Sequence, residues 1–243
     1  MPAASVCWCR GVWTSTPVRR KIREMRALTL RPFGVNLNLE FPQEERLGIA
    51  QGWEAGGHVR GRVATMPLVP AVVDAVSPTP AAAGGIADGR GLAAALSLGA
   101  AGAWIGTRFL ASREAVIHPR YRERLLQASE NDTVFLENLF DIRWPNAPHR
   151  TLRNRTVEAW EAAGRPPTGK RPGESEVIGT SQSMGPIVRY QSYTPAADAE
   201  GDIDAMSLWA GQSVGLVSKP QSAADIVREI ADEAKVILRR LAQ

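Results

Sequence analysis

Residues 81–107 read AAAGGIADGRGLAAALSLGAAGAWIGT and form the clearest structural pattern in the chain. Ala81-Ala82-Ala83 is a short apolar run that leads into a turn at Gly84-Gly85. Asp88 is placed to cap the helix that follows, and Ala103-Trp104-Ile105 predicts the next strand. A strand, a helix and a strand in so short a stretch form a compact βαβ unit, so we expect the two strands to be parallel.

A second motif lies just upstream. Gly48-Ile49-Ala50-Gln51 predicts a thin strand that feeds the loop Gln51-Gly-Trp-Glu-Ala-Gly-Gly-His58. An imidazole can move a proton near neutral pH, and glycines let backbone N–H groups approach a phosphate closely. A lone histidine is more often structural than catalytic, but His58 follows a glycine pair at a strand end, where loops carry function. We therefore predict an acid/base role for His58.

The other polar candidates near these motifs receive weaker predictions. His118 precedes a proline and His149 follows one, so both are predicted to be surface loop residues. Glu54 fits either a general base or a surface charge, and the sequence leaves the choice open. The amide of Gln51 is placed at a strand end, where it could contact the edge of a heterocycle.

Two glycine turns follow consecutive predicted strands, at Gly84-Gly85 and at Gly106-Thr107. In a (β/α)8 barrel a phosphate commonly lies between the loops after strands 7 and 8, and these turns fit that arrangement. The N–H groups of Gly85 and Thr107, with the Thr107 hydroxyl, would donate to the phosphate oxygens. The alternative is that these glycines only make tight turns and close helix–strand packing.

The rest of the chain predicts further elements. These are a helix from Val18 that ends before Pro32, a strand over Phe33–Leu37, helices over 67–76, 121–127 and 156–163, and a final helix capped by Ser222 with an apolar face from Ile226 to Leu241. Gly164 to Asp204 is rich in Pro, Gly, Ser and Thr, which predicts a long surface loop or an extended wrap.

Composition limits the classes of protein. With 243 residues, 44% of them hydrophobic, the chain can build a packed core. It has no apolar run that would span a membrane and no apolar leader at its start, so we expect a cytoplasmic protein that binds no membrane. Cys7 and Cys9, the only cysteines, make half a zinc site at most, so no metal is predicted. The net charge is +4, but its densest basic run, Arg19–Arg26, is typical of a solvated helix face rather than a nucleic-acid site.

Three of these stretches together resemble the nitronate monooxygenase family, formerly called 2-nitropropane dioxygenases. They are Ala50–His58, Ala82–Gly89 and Gly106–Phe109, and Phe33–Leu37 and Trp209–Gly215 are similar to further segments of the family. The resemblance implies an FMN-dependent TIM barrel that oxidises alkyl nitronates, or nitroalkanes, with dioxygen. A homo-oligomeric state is left open, and enoyl-acyl-carrier-protein reductases and NADH:quinone reductases share the glycine-histidine motif.

The same resemblance implies roles for individual residues. His58 matches the family's active-site histidine, which acts on the nitronate or its carbon acid. Gln51 and Gly52 match positions beside the flavin ring, and Asn36 matches a polar residue near the cofactor. The phosphate-binding turns of the family match Gly84, Gly85, Gly106 and Thr107.

The chain departs from the family's pattern in its barrel strands. Strands 1, 2, 4 and 5 have no counterpart, and the sequence passes from the helix after strand 3 to strand 6 at Leu47–Gly48. We therefore predict an α/β fold, an incomplete (β/α)8 TIM-type barrel with a mostly helical C-terminal extension. Its parts are an atypical segment 1–17, a partial FMN-binding barrel 18–115 and a helical, loop-rich region 116–243. The alternative to an active enzyme is a truncated or internally deleted, catalytically impaired remnant of the family.

Overall fold

A computed structural model of the chain describes residues 48–77 and 79–243. Several predictions lie outside the described residues: the segment 1–17, the helix from Val18 with its basic run, the strand Phe33–Leu37 with Asn36, and the junction at Leu47.

The βαβ unit is present as predicted, within a parallel sheet of order β1-β3-β4. Its strands are β1 (Ile49–Gln51), β3 (Ala81–Ala83) and β4 (Gly102–Trp104), and both strand pairs are parallel. The helix α1 (Thr65–Ala75) lies between β1 and β3, and α2 (Gly89–Ser97) joins β3 to β4. The carboxyl ends of the three strands thus lie at one edge of the sheet.

The predicted signals for α2 are confirmed. The Asp88 side chain accepts hydrogen bonds from the backbone N–H groups of Arg90 and Gly91, which α2 cannot satisfy internally. Gly99 follows the helix with a φ of +92°, a conformation that glycine adopts without strain. Small side chains of the sheet, Ala50 and Ala82, form a buried cluster with residues of the flanking helices.

A second, antiparallel sheet brings the histidine motif against the C-terminal half of the chain. It has the order β2-β6-β5, with β2 (Gly57–His58), β6 (His149–Leu152) and β5 (Thr133–Leu136). Gly57 pairs with Arg150, and His58 pairs with His149. The strand that bears His58 is therefore supported by residues about ninety positions later in the chain, a long-range pairing that sequence patterns do not reveal.

The prediction of a long surface loop over 164–204 is wrong. This region contains a third sheet of order β8-β7-β9, built from β7 (Val177–Ser181), β8 (Gly185–Val188) and β9 (Ala199–Gly201). Its inward side chains, Ile178 and Ile187, lie in the largest buried cluster. The glycines and serines mark tight turns between short strands, including one at Gly185 with a φ of +71°.

The C-terminal region is therefore mixed α/β rather than mostly helical. The short helix α3 (Thr107–Leu110) precedes this region, whose own helices are α4 (Pro119–Gln127), α5 (Arg155–Ala162) and α6 (Ala223–Leu241). Ser222 caps α6 as predicted, by accepting from the N–H of Asp225. The buried face of α6 is narrower than expected, because Val227 and Leu241 are 49% and 70% exposed. Across the described residues, none of the helices combines the length and the apolar character that crossing a bilayer requires.

Candidate functional site

The loop between β1 and β2 is tied to the helix α1 by Glu54. Both carboxylate oxygens of Glu54 accept from the backbone N–H of Thr65, at 2.9 and 3.1 Å, and one accepts from the Thr65 hydroxyl at 3.0 Å. The residue at the N-cap position, Ala64, has no side chain that could do this. Glu54 therefore satisfies the N-terminus of α1, which is neither of the two roles considered for it.

Two glycines of this loop are explained by close backbone approach. A Cβ atom at Gly52 would lie 2.0 Å from the Thr65 hydroxyl oxygen, and one at Gly56 would lie 2.4 Å from the backbone nitrogen of Gly211. The loop is further joined to this later segment by a 2.9 Å hydrogen bond from the Gln212 N–H to the Glu54 carbonyl oxygen. The segment 209–215 is thus a direct structural partner of the glycine-histidine loop.

The same later segment also contacts the second glycine turn. The backbone N–H of Gly211 donates to the buried Thr107 hydroxyl oxygen at 3.0 Å. A threonine hydroxyl has one proton to donate as well as acceptor capacity, so Thr107 can still donate one hydrogen bond. A role for Thr107 at a phosphate stays a prediction.

The two glycine turns lie at the ends of neighbouring strands. Gly84 and Gly85 follow β3 with φ values of +94° and +72°, and Gly106 follows β4 at the start of α3. A Cβ at Gly84 would approach the backbone nitrogen of Ala55 to 3.0 Å, whereas one at Gly106 would meet no atom of the described residues within 4 Å. Packing among the described residues thus accounts for glycine at 84 and leaves open space at 106.

The imidazole of His58 lies among aromatic side chains. It stacks on the indole of Trp144, with ring centroids 4.4 Å apart and planes 24° apart. The ring centroid of Trp209 lies 5.5 Å from the ring centroid of His58, and that of His149 lies 6.2 Å from it. The side-chain amide of Gln51 donates to the backbone oxygen of His58 at 3.2 Å, so the end of β1 and the histidine are adjacent. A half-buried imidazole in mainly apolar surroundings is suited to proton transfer with little competition from water.

The prediction that His149 is a surface loop residue is wrong. It is fully buried in β6, with Nδ1 2.9 Å from the Ala147 carbonyl oxygen and Nε2 accepting from the Phe140 N–H at 3.3 Å. Burial lowers the pKa of His149 from 6.5 to about 4. His149 is therefore a neutral imidazole with both nitrogens bonded, and it supports the chain around the site. His118 is half-exposed and caps α4 by accepting from the Arg120 N–H.

The lowered pKa of His149 predicts a loss of stability in mild acid. The unfolded chain binds a proton at this side chain near pH 6.5 while the folded chain resists protonation until about pH 4, so its contribution is present above pH 6.5 and is lost as the pH falls toward 4. We expect the free energy of unfolding in urea to be about 1 kcal/mol smaller at about pH 5.5 than at about pH 7.5. His149→Gln should remove that share of the slope, and an unchanged slope in the variant would contradict the assignment.

Three residues of this site were not among the predicted site residues: Trp144, Trp209 and His149. Trp209 lies in a segment that the resemblance included, but nothing in its spacing indicates that it faces His58. Trp144 and His149 flank a Pro-containing connection, and only the pairing of β2 with β6 brings them to the site. Asn36 lies outside the described residues.

Comparison with known proteins identifies the family of the chain. The family model described as nitronate monooxygenase matches residues 45–233. Nitronate monooxygenase npaC of Metarhizium robertsii is 41% identical over 202 residues, which cover 78% of this chain and 52% of that protein. The chain therefore belongs to the nitronate monooxygenase family, a family of oxidoreductases. It spans about half the length of the curated relatives it matches.

The fold of the chain is similar to that of solved structures. FabK from Thermotoga maritima superimposes with a TM-score of 0.66 and 27% identity, covering 96% of this chain and 85% of that chain. A nitroalkane oxidase from Streptomyces ansochromogenes gives a TM-score of 0.57 and 25% identity, covering 80% of this chain and 53% of that chain. These neighbours are TIM-barrel flavoenzymes, so a flavin is the cofactor that the family implies.

Proposed function

We propose that this chain is an FMN-dependent oxidoreductase of the nitronate monooxygenase type, which oxidises alkyl nitronates with dioxygen and uses His58 as acid/base. The observation that supports this proposal most is the position of His58 relative to the ends of the three parallel strands. His58 lies in an aromatic pocket joined to the end of β1 through Gln51, and the glycine turns at 84–85 and 106–107 follow the two adjacent parallel strands. In this proposal the parallel sheet is an arc of an incomplete (β/α)8 barrel.

The residues around the turns fit the phosphate of FMN. Backbone N–H groups of Gly85, Gly106 and Thr107 lie at the carboxyl ends of neighbouring strands, where such groups bind phosphates in α/β folds. Since no atom of residues 48–77 or 79–243 would lie within 4 Å of a Cβ at Gly106, a phosphate could approach the backbone there. Gln51 is exposed and would contact the edge of the flavin, with Gly52 and Gly84 shaping the backbone there. When bound, FMN supplies the electron acceptor and the reaction with dioxygen.

The chain's own contribution is to bind the substrate and manage one proton. A nitronate is already deprotonated at carbon, so it requires no strong base. A neutral His58 imidazole would orient the nitronate by donating to one of its oxygens, or would take the carbon-bound proton of a neutral nitroalkane. The indoles of Trp144 and Trp209 reduce the access of water to this imidazole.

Two alternatives compete with this proposal, a related flavin reductase and a catalytically impaired remnant of the family. The likeness to FabK across 96% of this chain favours an enoyl-acyl-carrier-protein reductase as the second candidate, and an NADH:quinone reductase shares the same motif. The third candidate is a catalytically impaired remnant that binds FMN weakly, because the sequence at Leu47–Gly48 passes directly from the helix after barrel strand 3 to strand 6 of the family's pattern.

Oxygen consumption distinguishes these candidates. The full chain, supplied with FMN, is expected to consume dioxygen with propyl-2-nitronate in the absence of NADH. NADH oxidation that requires an enoyl thioester or a quinone, without oxygen consumption from the nitronate, would replace the proposal with one of the reductases. Failure to bind FMN in a fluorescence titration would favour the impaired remnant.

Replacing Gly106 with alanine tests the phosphate turn. Since a Cβ at 106 meets no atom of the described residues, alanine costs only its weaker preference for the N-cap position, and the free energy of unfolding without added FMN should fall by no more than about 1 kcal/mol. The methyl group would lie where the phosphate approaches, so the Kd for FMN should rise at least about tenfold, or about 1.4 kcal/mol. Gly61→Ala, at another glycine with open space, is the control and should leave the Kd unchanged. An unchanged Kd in Gly106→Ala would show that this turn does not bind the phosphate.

A further inference from the structure

Of the aromatic rings in the described residues that contact the His58 ring, the indole of Trp144 is the nearest. The two rings are close to parallel, with centroids 4.4 Å apart, so the indole covers one face of the imidazole. Trp144 is itself half-buried, and part of its surface is accessible to solvent. Any molecule that reaches His58 from that side has to pass or displace this indole.

The backbone on both sides of Trp144 has an uncommon conformation. Arg143 and Asn146 have φ values of +70° and +54°, in the left-handed region that residues other than glycine seldom occupy. Such conformations persist where the surroundings determine them, and they cluster at functional sites. The segment 137–148, which joins β5 to β6, is therefore held in one shape rather than left to adopt its locally preferred one.

Buried polar groups supply that constraint. The guanidinium of Arg171, whose side chain is 1% exposed, donates to the Leu139 carbonyl oxygen at 2.8 Å and to the Asp141 carboxylate at 2.7 Å. His149 accepts from the N–H of Phe140, one residue further along the same segment. Charge-assisted hydrogen bonds in a buried setting are strong and geometrically specific. The hydrogen bonds from Arg171 and to His149 therefore fix the first half of the segment 137–148.

The second half of the segment is joined to the chain that follows His58. The N–H of Val59 donates to the Pro148 carbonyl oxygen at 2.8 Å, and a guanidinium nitrogen of Arg60 lies 3.4 Å from the Asn146 carbonyl oxygen. The segments that carry His58 and Trp144 are thus bonded to each other just after the two stacked residues. These hydrogen bonds hold Trp144 in a fixed position relative to His58.

We propose that Trp144 is a specificity-determining residue, which limits the size of the alkyl group that can lie beside His58. This inference rests on the proposed function, because it presumes that the substrate contacts His58. The indole occupies the space against one face of the imidazole that we propose acts on the substrate, with ring centroids 4.4 Å apart, so an alkyl group beside His58 cannot extend into that space. Truncating this ring opens a space that is continuous with His58.

The test compares a short and a long substrate in matched variants. With FMN present, kcat/KM is measured for propyl-1-nitronate and hexyl-1-nitronate in the wild type, Trp144→Ala and Trp144→Phe. We expect Trp144→Ala to raise the long-to-short ratio at least about tenfold, mainly through a lower KM for hexyl-1-nitronate. Trp144→Phe keeps a ring in place, and a smaller rise of about threefold is expected even if the alanine variant is insoluble. Trp160→Phe is the control, since Trp160 is a residue of α5 with Arg165 over its ring and is not among the rings that contact His58 in the described part of the chain, and it should leave the ratio unchanged.

The outcomes separate this inference from the proposed function. An active wild type whose Trp144 variants keep the wild-type ratio overturns the role of Trp144 and leaves the function standing. A fall in kcat for both substrates with an unchanged ratio also overturns it, because that result indicates damage to the site rather than a change of size limit. A wild type that turns over neither nitronate overturns the proposed function and this inference together.

Discussion

Replacing His58 with alanine is expected to lower kcat/KM for an alkyl nitronate by about 10²- to 10⁴-fold, the usual contribution of a positioned acid or base. The imidazole that would orient the nitronate is lost, and the neighbouring His149 does not replace it, since both of its nitrogens are bonded to backbone groups. FMN binding should persist, because the glycine turns are untouched. Steady-state oxygen consumption and an FMN titration on the same preparation measure the two effects separately.

His118→Asn is the matched control for this variant. It removes a histidine from α4, and asparagine is a good N-cap residue, so the hydrogen bond to the Arg120 N–H can be replaced. Its activity should equal that of the wild type. A His58→Ala variant that keeps its turnover would remove His58 from the mechanism, whereas a variant that loses FMN as well would assign His58 a role in building the site.

Replacing Gly56 with alanine is expected to lower the free energy of unfolding by about 2–3 kcal/mol, the cost of forcing atoms into a closely packed place. A Cβ at this position would lie 2.4 Å from the Gly211 nitrogen and 2.5 Å from the Ala210 carbonyl carbon, and both of these are backbone atoms that no rotamer change can move. The glycine-histidine loop and the segment 209–215 would have to separate. We therefore expect loss of activity together with loss of stability, measured by urea denaturation and oxygen consumption.

Gly61→Ala is the companion measurement, because it adds the same methyl group five residues further along in open space. It should change the free energy of unfolding by no more than about 1 kcal/mol, in the stabilising direction if its backbone conformation suits alanine. Equal effects of Gly56→Ala and Gly61→Ala would mean that the close approach of Gly56 to Gly211 is not present in solution.

Local signals in the sequence were sufficient for the βαβ unit. Asp88 caps α2 and Gly99 follows it, and each acts through hydrogen bonds or backbone angles within a few residues. The same holds for Ser222 at the start of α6. Such features are decided by neighbouring residues, so they can be predicted without knowing the rest of the fold.

The prediction of a long surface loop over residues 164–204 is wrong because a composition rich in glycine, serine and proline does not by itself determine the backbone conformation. Glycine, serine and proline are frequent in that stretch, but there they form turns between strands that pair with one another. Ile178 and Ile187 are buried by that pairing, and three- to five-residue strands leave too few positions for an alternating pattern to be recognised. The same limit explains why the C-terminal region was expected to be mostly helical.

What could be read from the residues in order is the set of glycine turns, the helix caps and the resemblance of Ala50–His58 to one family. The surroundings of His58 became known only from the tertiary structure. Trp144, Trp209 and His149 come from positions 86 to 151 residues later and meet it through the pairing of β2 with β6 and the packing of Gly56 on Gly211. Motifs depend on short-range backbone geometry, whereas the polarity and the size of a pocket depend on which distant segments are brought together when apolar surface is buried.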